Sequence, residues 1–170
     1  KTFQITSNTL FLGIWSAIIF KYNNIKDITF GNTVSGRSGN FPNIDLIAGM
    51  FANVLPVRTI LSTDLSIKDW LKNIQLQQLE ARKYEHFTVG EITEWVDNTS
   101  NSLFDSLLIF ENFPWNDIES GEIKVHSSKS GITTTYPLTI IIKTGELIAI
   151  DLLSEKSLFS NETNNWILKR

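Results

Sequence analysis

The stretch YPLTIIIKTGELIAIDLL, residues 136–153, decides the class of fold. Two apolar runs, 136–143 and 146–153, flank the dipeptide Thr144-Gly145. Apolar runs rich in β-branched residues, on either side of a short turn that contains glycine, are typical of two strands joined in a tight hairpin. We therefore expect this part of the chain to lie in a β-sheet.

Other segments of the chain carry strand patterns of the same kind. They are residues 27–34, 51–60, 103–112 and 122–127. Pro56 lies within one of them and has no N–H to donate to a ladder, so this segment is expected to be an edge strand or a crossing loop.

Helical patterns are interspersed with these strands. Residues 7–22 repeat apolar side chains at helical spacing, with Ser7 as the candidate cap, and apolar residues on the other faces predict a helix buried nearly all round. Ser66 caps a second predicted helix, which runs to about Tyr84, and a helical turn is expected over residues 90–96. The interspersion predicts an α/β (α+β) two-layer sandwich, in which a mixed β-sheet is flanked by helices.

Composition excludes several classes of function. The 170 residues suffice for one domain with one core, and they carry a net charge of −3 without a basic run, so no nucleic acid is expected as a partner. The absence of cysteine excludes disulfides and thiolate metal sites. The longest apolar stretch, residues 10–20, is shorter than the roughly 20 residues of a membrane span. A cytoplasmic location without membrane association is expected.

The titratable residues do not assemble into a site by their spacing. His86 and His126 are far apart in sequence and are expected at a helix end and on a strand surface, and no metal site is expected. Asp105 and Glu111 would lie roughly 20 Å apart along one strand face, which is too far for a paired-carboxylate site. Both carboxylates are expected to be structural.

The loop GNTVSGRSG, residues 31–39, is the remaining candidate for chemistry. Its glycines let backbone amides approach a ligand, and Arg37 could form a fork to a phosphate. The alternative is a flexible surface turn with a solvated arginine, since such turns are common. The residues alone leave both interpretations open.

Five segments, taken in order, resemble the condensation domains of nonribosomal peptide synthetases. They are FGNTVSGR (30–37), IAGMFANVLPVR (47–58), the stretch from YEH at 84–86 to Trp95, LFDSLLIFENFP (103–114) and YPLT (136–139). The second is similar to the fifth core motif of that family, near (I/V)-G-x-F-(I/V)-N-T-x-x-x-R, and the third to the segment that carries the sixth. Ala48, Ala52 and Val54 depart from the fifth motif without contradicting the fold.

The resemblance implies that residues 1–170 are the C-terminal lobe of a condensation domain, one lobe of a chloramphenicol acetyltransferase-like fold. The family joins a carrier-tethered donor acyl thioester to an acceptor aminoacyl thioester through an amide bond. Its H-H-x-x-x-D-G motif is absent from this sequence, so no catalytic residue is expected here, and the isolated chain is expected to be inactive although its parent is an enzyme. The chain opens on Lys1 without a start methionine and closes on a helical pattern, so it is expected to be a fragment of a larger multidomain synthetase.

The resemblance also implies site residues and partners. Ser35, Gly36 and Arg37 are expected to line the substrate tunnel or to contact the pantetheine phosphate. An inter-lobe crossover is expected to include Gly49, Phe51, Asn53, Pro56 and Arg58. No cofactor is expected to bind directly, because carrier proteins deliver the phosphopantetheine.

The expected partners are the missing N-terminal lobe, peptidyl carrier proteins and a neighbouring adenylation domain. Self-association through the exposed lobe interface is also expected, because large exposed apolar patches drive association. The alternatives are a non-catalytic lobe that docks carrier proteins or serves as a structural element, and part of a coenzyme A-dependent acyltransferase.

Overall fold

The computed structural model describes residues 4–37, 42–62, 64–96, 102–111, 118–120, 123–125, 133–145 and 147–169. The elements in these ranges are α1 (Ser7–Asn23), β1 (Asp27–Val34), a 3₁₀ turn (Ile44–Leu46), β2 (Asn53–Ile60), α2 (Ile67–Ala81), a second 3₁₀ turn (Arg82–Tyr84), α3 (Val89–Trp95), β3 (Ser106–Glu111), β4 (Ile118–Ser120), β5 (Ile123–Val125), β6 (Leu138–Thr144), β7 (Ile148–Ser154) and α4 (Asn161–Leu168).

Five strands form one mixed sheet in the order β2-β1-β3-β6-β7. The two outer pairs, β1–β2 and β6–β7, are antiparallel, whereas β3 is parallel to both β1 and β6. β2 lies at the edge of the described sheet with Pro56 opposite Gly31, which confirms the edge position that the proline predicted. A separate antiparallel hairpin is formed by β4 and β5, so the predicted strand over 122–127 does not join the main sheet.

The predicted hairpin at 136–153 is present, with a longer connection than expected. Thr144 is the last residue of β6 and pairs with Ile148, the first residue of β7, so the prediction of a turn made by Thr144-Gly145 alone was wrong.

The core lies between the sheet and a single layer of helices. α1, α2 and α4 contribute side chains to one buried cluster with alternate residues of the sheet strands. The cluster includes Leu12, Trp15, Leu71, Ile74, Ile167, Ile28, Phe30, Val57, Leu108, Ile140 and Ile142. Residues two apart in a strand share one face, so this membership confirms the predicted two-layer arrangement.

Two predictions for α1 were wrong. The N-cap is Thr6, whose hydroxyl accepts from the N–H of Thr9 at 3.1 Å, and Ser7 is already helical. Leu10 and Ile14 are exposed, so the helix is not buried nearly all round. Apolar composition at these positions does not specify what covers them, and the sheet and α2 reach only one side of the helix.

The second predicted helix agrees with the structure. The hydroxyl of Ser66 accepts from the N–H of Asp69, α2 starts at the next residue after the cap, and its 3₁₀ extension ends at Tyr84 as expected. α3 begins one residue before the expected turn, and Thr88 and Glu91 form a capping box at its N-terminus. Within the described residues, none of the helices has both the length and the apolarity that a membrane crossing requires.

Candidate functional site

The candidate site lies where β1 ends and β2 begins. Val34 and Asn53 are paired in the antiparallel ladder, so the residues after one and before the other emerge side by side from the same end of the sheet. The structure therefore brings the 35–37 segment next to the 49–53 segment, two segments for which the resemblance implied only an order along the sequence.

Arg37 binds the chain itself. Its Nη1 donates to the backbone carbonyls of Ile44 and Ile47, the latter at 3.1 Å, and its Nη2 donates to the carbonyl of Gly49 at 3.0 Å. The guanidinium carbon lies 4.4 Å from the centroid of the Phe51 ring, within cation–π range. The interpretation of Arg37 as a solvated side chain on a flexible turn is wrong, because Arg37 is half-buried and its guanidinium contacts four residues of the following segment.

Gly36 is required by the close approach of these two segments. Its φ is +67°, and a Cβ placed on it would lie 1.8 Å from the carbonyl oxygen of Phe51. Any other residue would have to adopt the left-handed conformation and displace that backbone. Ser35 contributes a hydroxyl that accepts from the N–H of Arg37 at 3.3 Å.

Asn53 fixes the start of β2 to the turn that follows α2. Its Nδ2 donates to the carbonyls of Glu85 and Phe87 at 2.9 and 2.6 Å, while its Oδ1 accepts from the N–H of Val54 at 2.8 Å. The side-chain amide thus binds three backbone groups, two of which belong to a segment more than 30 residues away in sequence.

Arg58 lies at the other end of β2. Its Nε and Nη2 donate to the two carboxylate oxygens of Asp27 at 2.8 and 2.7 Å. These hydrogen bonds lower the pKa of Asp27 below its ordinary value. Asn53 and Arg58 are separated by five residues of strand, or roughly 17 Å, so the structure does not gather Arg58 with Arg37.

An aromatic cluster beside the Asn53 contact was not predicted from the sequence. The Phe87 ring lies 4.0 Å from His86, 4.7 Å from Trp95 in an edge-on arrangement, and 6.3 Å from Tyr84. Tyr84, His86 and Trp95 are exposed. The signal that could have indicated the cluster is the concentration of aromatic residues between positions 84 and 95.

The remaining titratable candidates are dispersed. His86 lies in the turn after α2, as predicted, and His126 is outside the described residues. Asp105 is exposed immediately before β3, and Glu111 is the last residue of that strand. In the described ranges, His, Asp and Glu side chains form no group of three or more that could hold a metal ion.

Comparisons with known proteins agree with this arrangement. The condensation domain family model matches residues 1–170. One linear gramicidin synthase protein of Brevibacillus parabrevis is 33% identical over 100% of this chain and 2% of its own length. A second linear gramicidin synthase protein of the same organism is 37% identical over 92% of this chain and 3% of its own length. The chain thus spans only a few per cent of the length of these curated relatives.

Solved structures share the fold. The crystal structure of holo T3CT superposes with a TM-score of 0.85 at 19% identity, over 98% of this chain and 40% of that chain. The first condensation domain of the calcium-dependent antibiotic synthetase superposes with a TM-score of 0.75 at 16% identity, over 95% of this chain and 36% of that chain. Because the condensation domain family model matches residues 1–170 of this chain, the chain belongs to the condensation domain family of nonribosomal peptide synthetases.

Proposed function

We propose that residues 1–170 are the C-terminal lobe of a condensation domain within a larger multidomain synthetase. The observation that carries the proposal is the match to the condensation family along the entire chain, combined with a fold that superposes on about two fifths of a solved chain. A segment that covers this much of such a fold fits one lobe of a two-lobed enzyme.

The reaction that this family assignment supports is amide formation between two carrier-tethered substrates. The acceptor amine attacks the donor thioester carbonyl, a C–N bond forms and the C–S bond breaks. The amine loses a proton, and the donor phosphopantetheine leaves as a thiol. The family assigns this step to the second histidine of H-H-x-x-x-D-G, as base or as a positioning group, and the N-terminal lobe would supply it.

In this proposal the chain contributes walls and contacts rather than the catalytic base. Ser35, Gly36 and Arg37 form one wall of the tunnel, and the crossover, which includes Gly49, Phe51, Asn53, Pro56 and Arg58, reaches toward the N-terminal lobe. Two apolar side chains beside the crossover support this contact surface, since Leu46 is 82% and Met50 is 93% exposed. A partner that covers these side chains removes their apolar surface from water, which favours association.

The partners in this proposal are the N-terminal lobe, peptidyl carrier proteins that deliver phosphopantetheine, and a neighbouring adenylation domain, all in the cytoplasm. The isolated chain has no amide-forming activity and self-associates through the exposed interface. Sedimentation of the purified chain across a range of concentrations measures the self-association. A monomer at every concentration contradicts that part of the proposal.

The test of function uses the synthetase module that contains this chain, with donor and acceptor carriers loaded separately. Mass spectrometry should detect an amide product on the acceptor carrier with the intact module, and none with the 170-residue chain alone. Coexpression with the N-terminal lobe should restore the product. Product formed by the isolated chain would contradict the two-lobe proposal, and efficient use of an acyl-coenzyme A donor in place of the loaded carrier would favour the acyltransferase alternative.

A further inference from the structure

We infer that Arg37 is a positioning residue, whose guanidinium holds residues 44–51 in the path that presents the crossover, and that it does not bind the pantetheine phosphate. The inference rests on the proposed function for its effect on catalysis. Its structural part stands on the hydrogen bonds of Arg37 and on the packing of Phe51.

The three carbonyls that Arg37 binds belong to a segment with little regular structure. Ile44–Leu46 is a single 3₁₀ turn, and among the described residues its backbone hydrogen bonds run from the Leu46 N–H to the Asn43 carbonyl and from the Ile47 N–H to the Ile44 carbonyl. The carbonyls of Ile47 and Gly49 lie beyond the turn and are bound by the guanidinium. Arg37 therefore supplies the donors that a longer helix or a strand would otherwise provide.

A guanidinium is suited to this task for geometric reasons. Its donors lie in one plane and point in fixed directions, so one side chain can bind carbonyls from three positions of a curved segment. An ammonium group carries the same charge at a single point on a flexible stem and cannot reproduce the fork. Charge and geometry can therefore be separated by replacing Arg37 with Lys.

Phe51 transmits the position of Arg37 to the crossover. The guanidinium of Arg37 lies over the Phe51 ring, and Gly36 lies against the Phe51 carbonyl. Two consecutive residues therefore contact Phe51. Two residues later, Asn53 binds the 85–87 turn. The path of residues 49–53 is thus fixed at both ends by side chains that bind backbone groups.

The same contacts oppose a direct role in phosphate binding. Both hydrogens of Nη1 are used by Ile44 and Ile47, and Nη2 uses one of its two. A bidentate fork to a phosphate needs two parallel N–H groups that are free to donate. A fork made by Nη1 and Nη2 would require Arg37 to release Ile44 or Ile47, so only the Nε–H and the second hydrogen of Nη2 could meet a phosphate while the segment stays held.

The experiment uses the intact synthetase module with Arg37→Lys and Arg37→Ala, and with Arg82→Ala as the matched control, since Arg82 lies exposed after α2. Two acceptors are compared: the loaded carrier, which bears the pantetheine phosphate, and an aminoacyl N-acetylcysteamine thioester, which has no phosphate. Hydrogen exchange of residues 44–51 is measured in parallel.

We expect both Arg37 variants to lose about tenfold or more in kcat, by the same factor with either acceptor, because the wall is displaced whichever acceptor arrives. Exchange in residues 44–51 should become faster in both variants and stay unchanged in Arg82→Ala. A Lys variant with wild-type rates and exchange would overturn the inference, and so would a loss confined to the carrier-bound acceptor, since either result assigns Arg37 to charge recognition.

One further variant keeps the inference open to refutation if Arg37→Ala does not fold. Phe51→Leu retains apolar packing but removes the ring beneath the guanidinium, and it should produce a smaller loss that is again equal for both acceptors. Unchanged kinetics in this variant would contradict the role given to Phe51. If the wild-type module forms no amide at all, the proposed function fails, whereas the exchange comparison still decides whether Arg37 holds the segment.

Discussion

Replacing Gly36 with Ala is the most direct perturbation of the candidate site. The new Cβ would lie 1.8 Å from the carbonyl oxygen of Phe51, and the φ of +67° is unfavourable for a residue with a side chain. The conformation alone costs roughly 1–2 kcal/mol. Relief of the overlap must move Phe51, and loss of one charged hydrogen bond to the adjoining carbonyls adds about 1.5 kcal/mol. We expect the free energy of unfolding to fall by about 3 kcal/mol.

Urea unfolding followed by circular dichroism measures this change, because the midpoint shifts at constant slope if only stability is altered. The matched control is Gly90→Ala, since Gly90 lies in α3 and the nearest atom to its added Cβ is 3.8 Å away. That variant should be more stable by up to about 1 kcal/mol, because alanine favours the helix. A Gly36→Ala protein within about 0.5 kcal/mol of wild type would refute the close approach of the two segments.

Three further substitutions probe the contacts around the sheet. Asn53→Ala should lower the free energy of unfolding by about 2 kcal/mol, because two carbonyl partners are lost, and urea unfolding measures it. Arg58→Ala removes the hydrogen bonds that lower the pKa of Asp27. A carboxyl pKa that is lower in the folded than in the unfolded state stabilises the fold at pH values above the unfolded-state pKa, and this stabilisation is lost as the pH falls through the folded-state pKa. The difference in the free energy of unfolding between wild type and variant should therefore shrink as the pH falls, which thermal melts from pH 7 to about pH 3 test. Thr59→Val should lower the free energy of unfolding by about 1 kcal/mol, because the Thr59 hydroxyl donates to the Ser16 hydroxyl at 2.9 Å inside the core. The same substitution in a Ser16→Ala background should lower it by less, because that hydrogen bond is already absent. Additive losses in that double-mutant cycle would contradict the coupling.

Local pattern predicted the elements well wherever the determinants lie within the element. β1 was predicted with the bounds that the structure shows, and the Ser66 cap fixed the start of α2. α1 was predicted in extent, but its burial was not, because exposure depends on which neighbours arrive. Gly13 illustrates this dependence, since its added Cβ would lie 2.4 Å from Leu71 of α2, a contact that no local pattern specifies.

The order of the strands in the sheet could not be predicted from the sequence, because it also depends on which distant segments become neighbours. β1 pairs with β2 through a nearby connection, yet its other neighbour is β3, more than 70 residues along the chain. Periodicity indicates that a strand exists and which residues share a face, but it carries no information on non-local partners. The hairpin of β6 and β7 could be predicted because its partners are adjacent in sequence.

The role of Arg37 could not be predicted because its partners are main-chain carbonyls. Every residue carries such a group, so Ile44, Ile47 and Gly49 have no side-chain signature that marks them as acceptors. Only the donor, the glycine before it and the ring of Phe51 leave a trace in the sequence, and those three residues are equally compatible with a phosphate-binding loop. A side chain that folds a loop and one that binds a ligand therefore produce the same local pattern. What distinguishes them is the path of residues 44–51, which brings the carbonyls around the guanidinium.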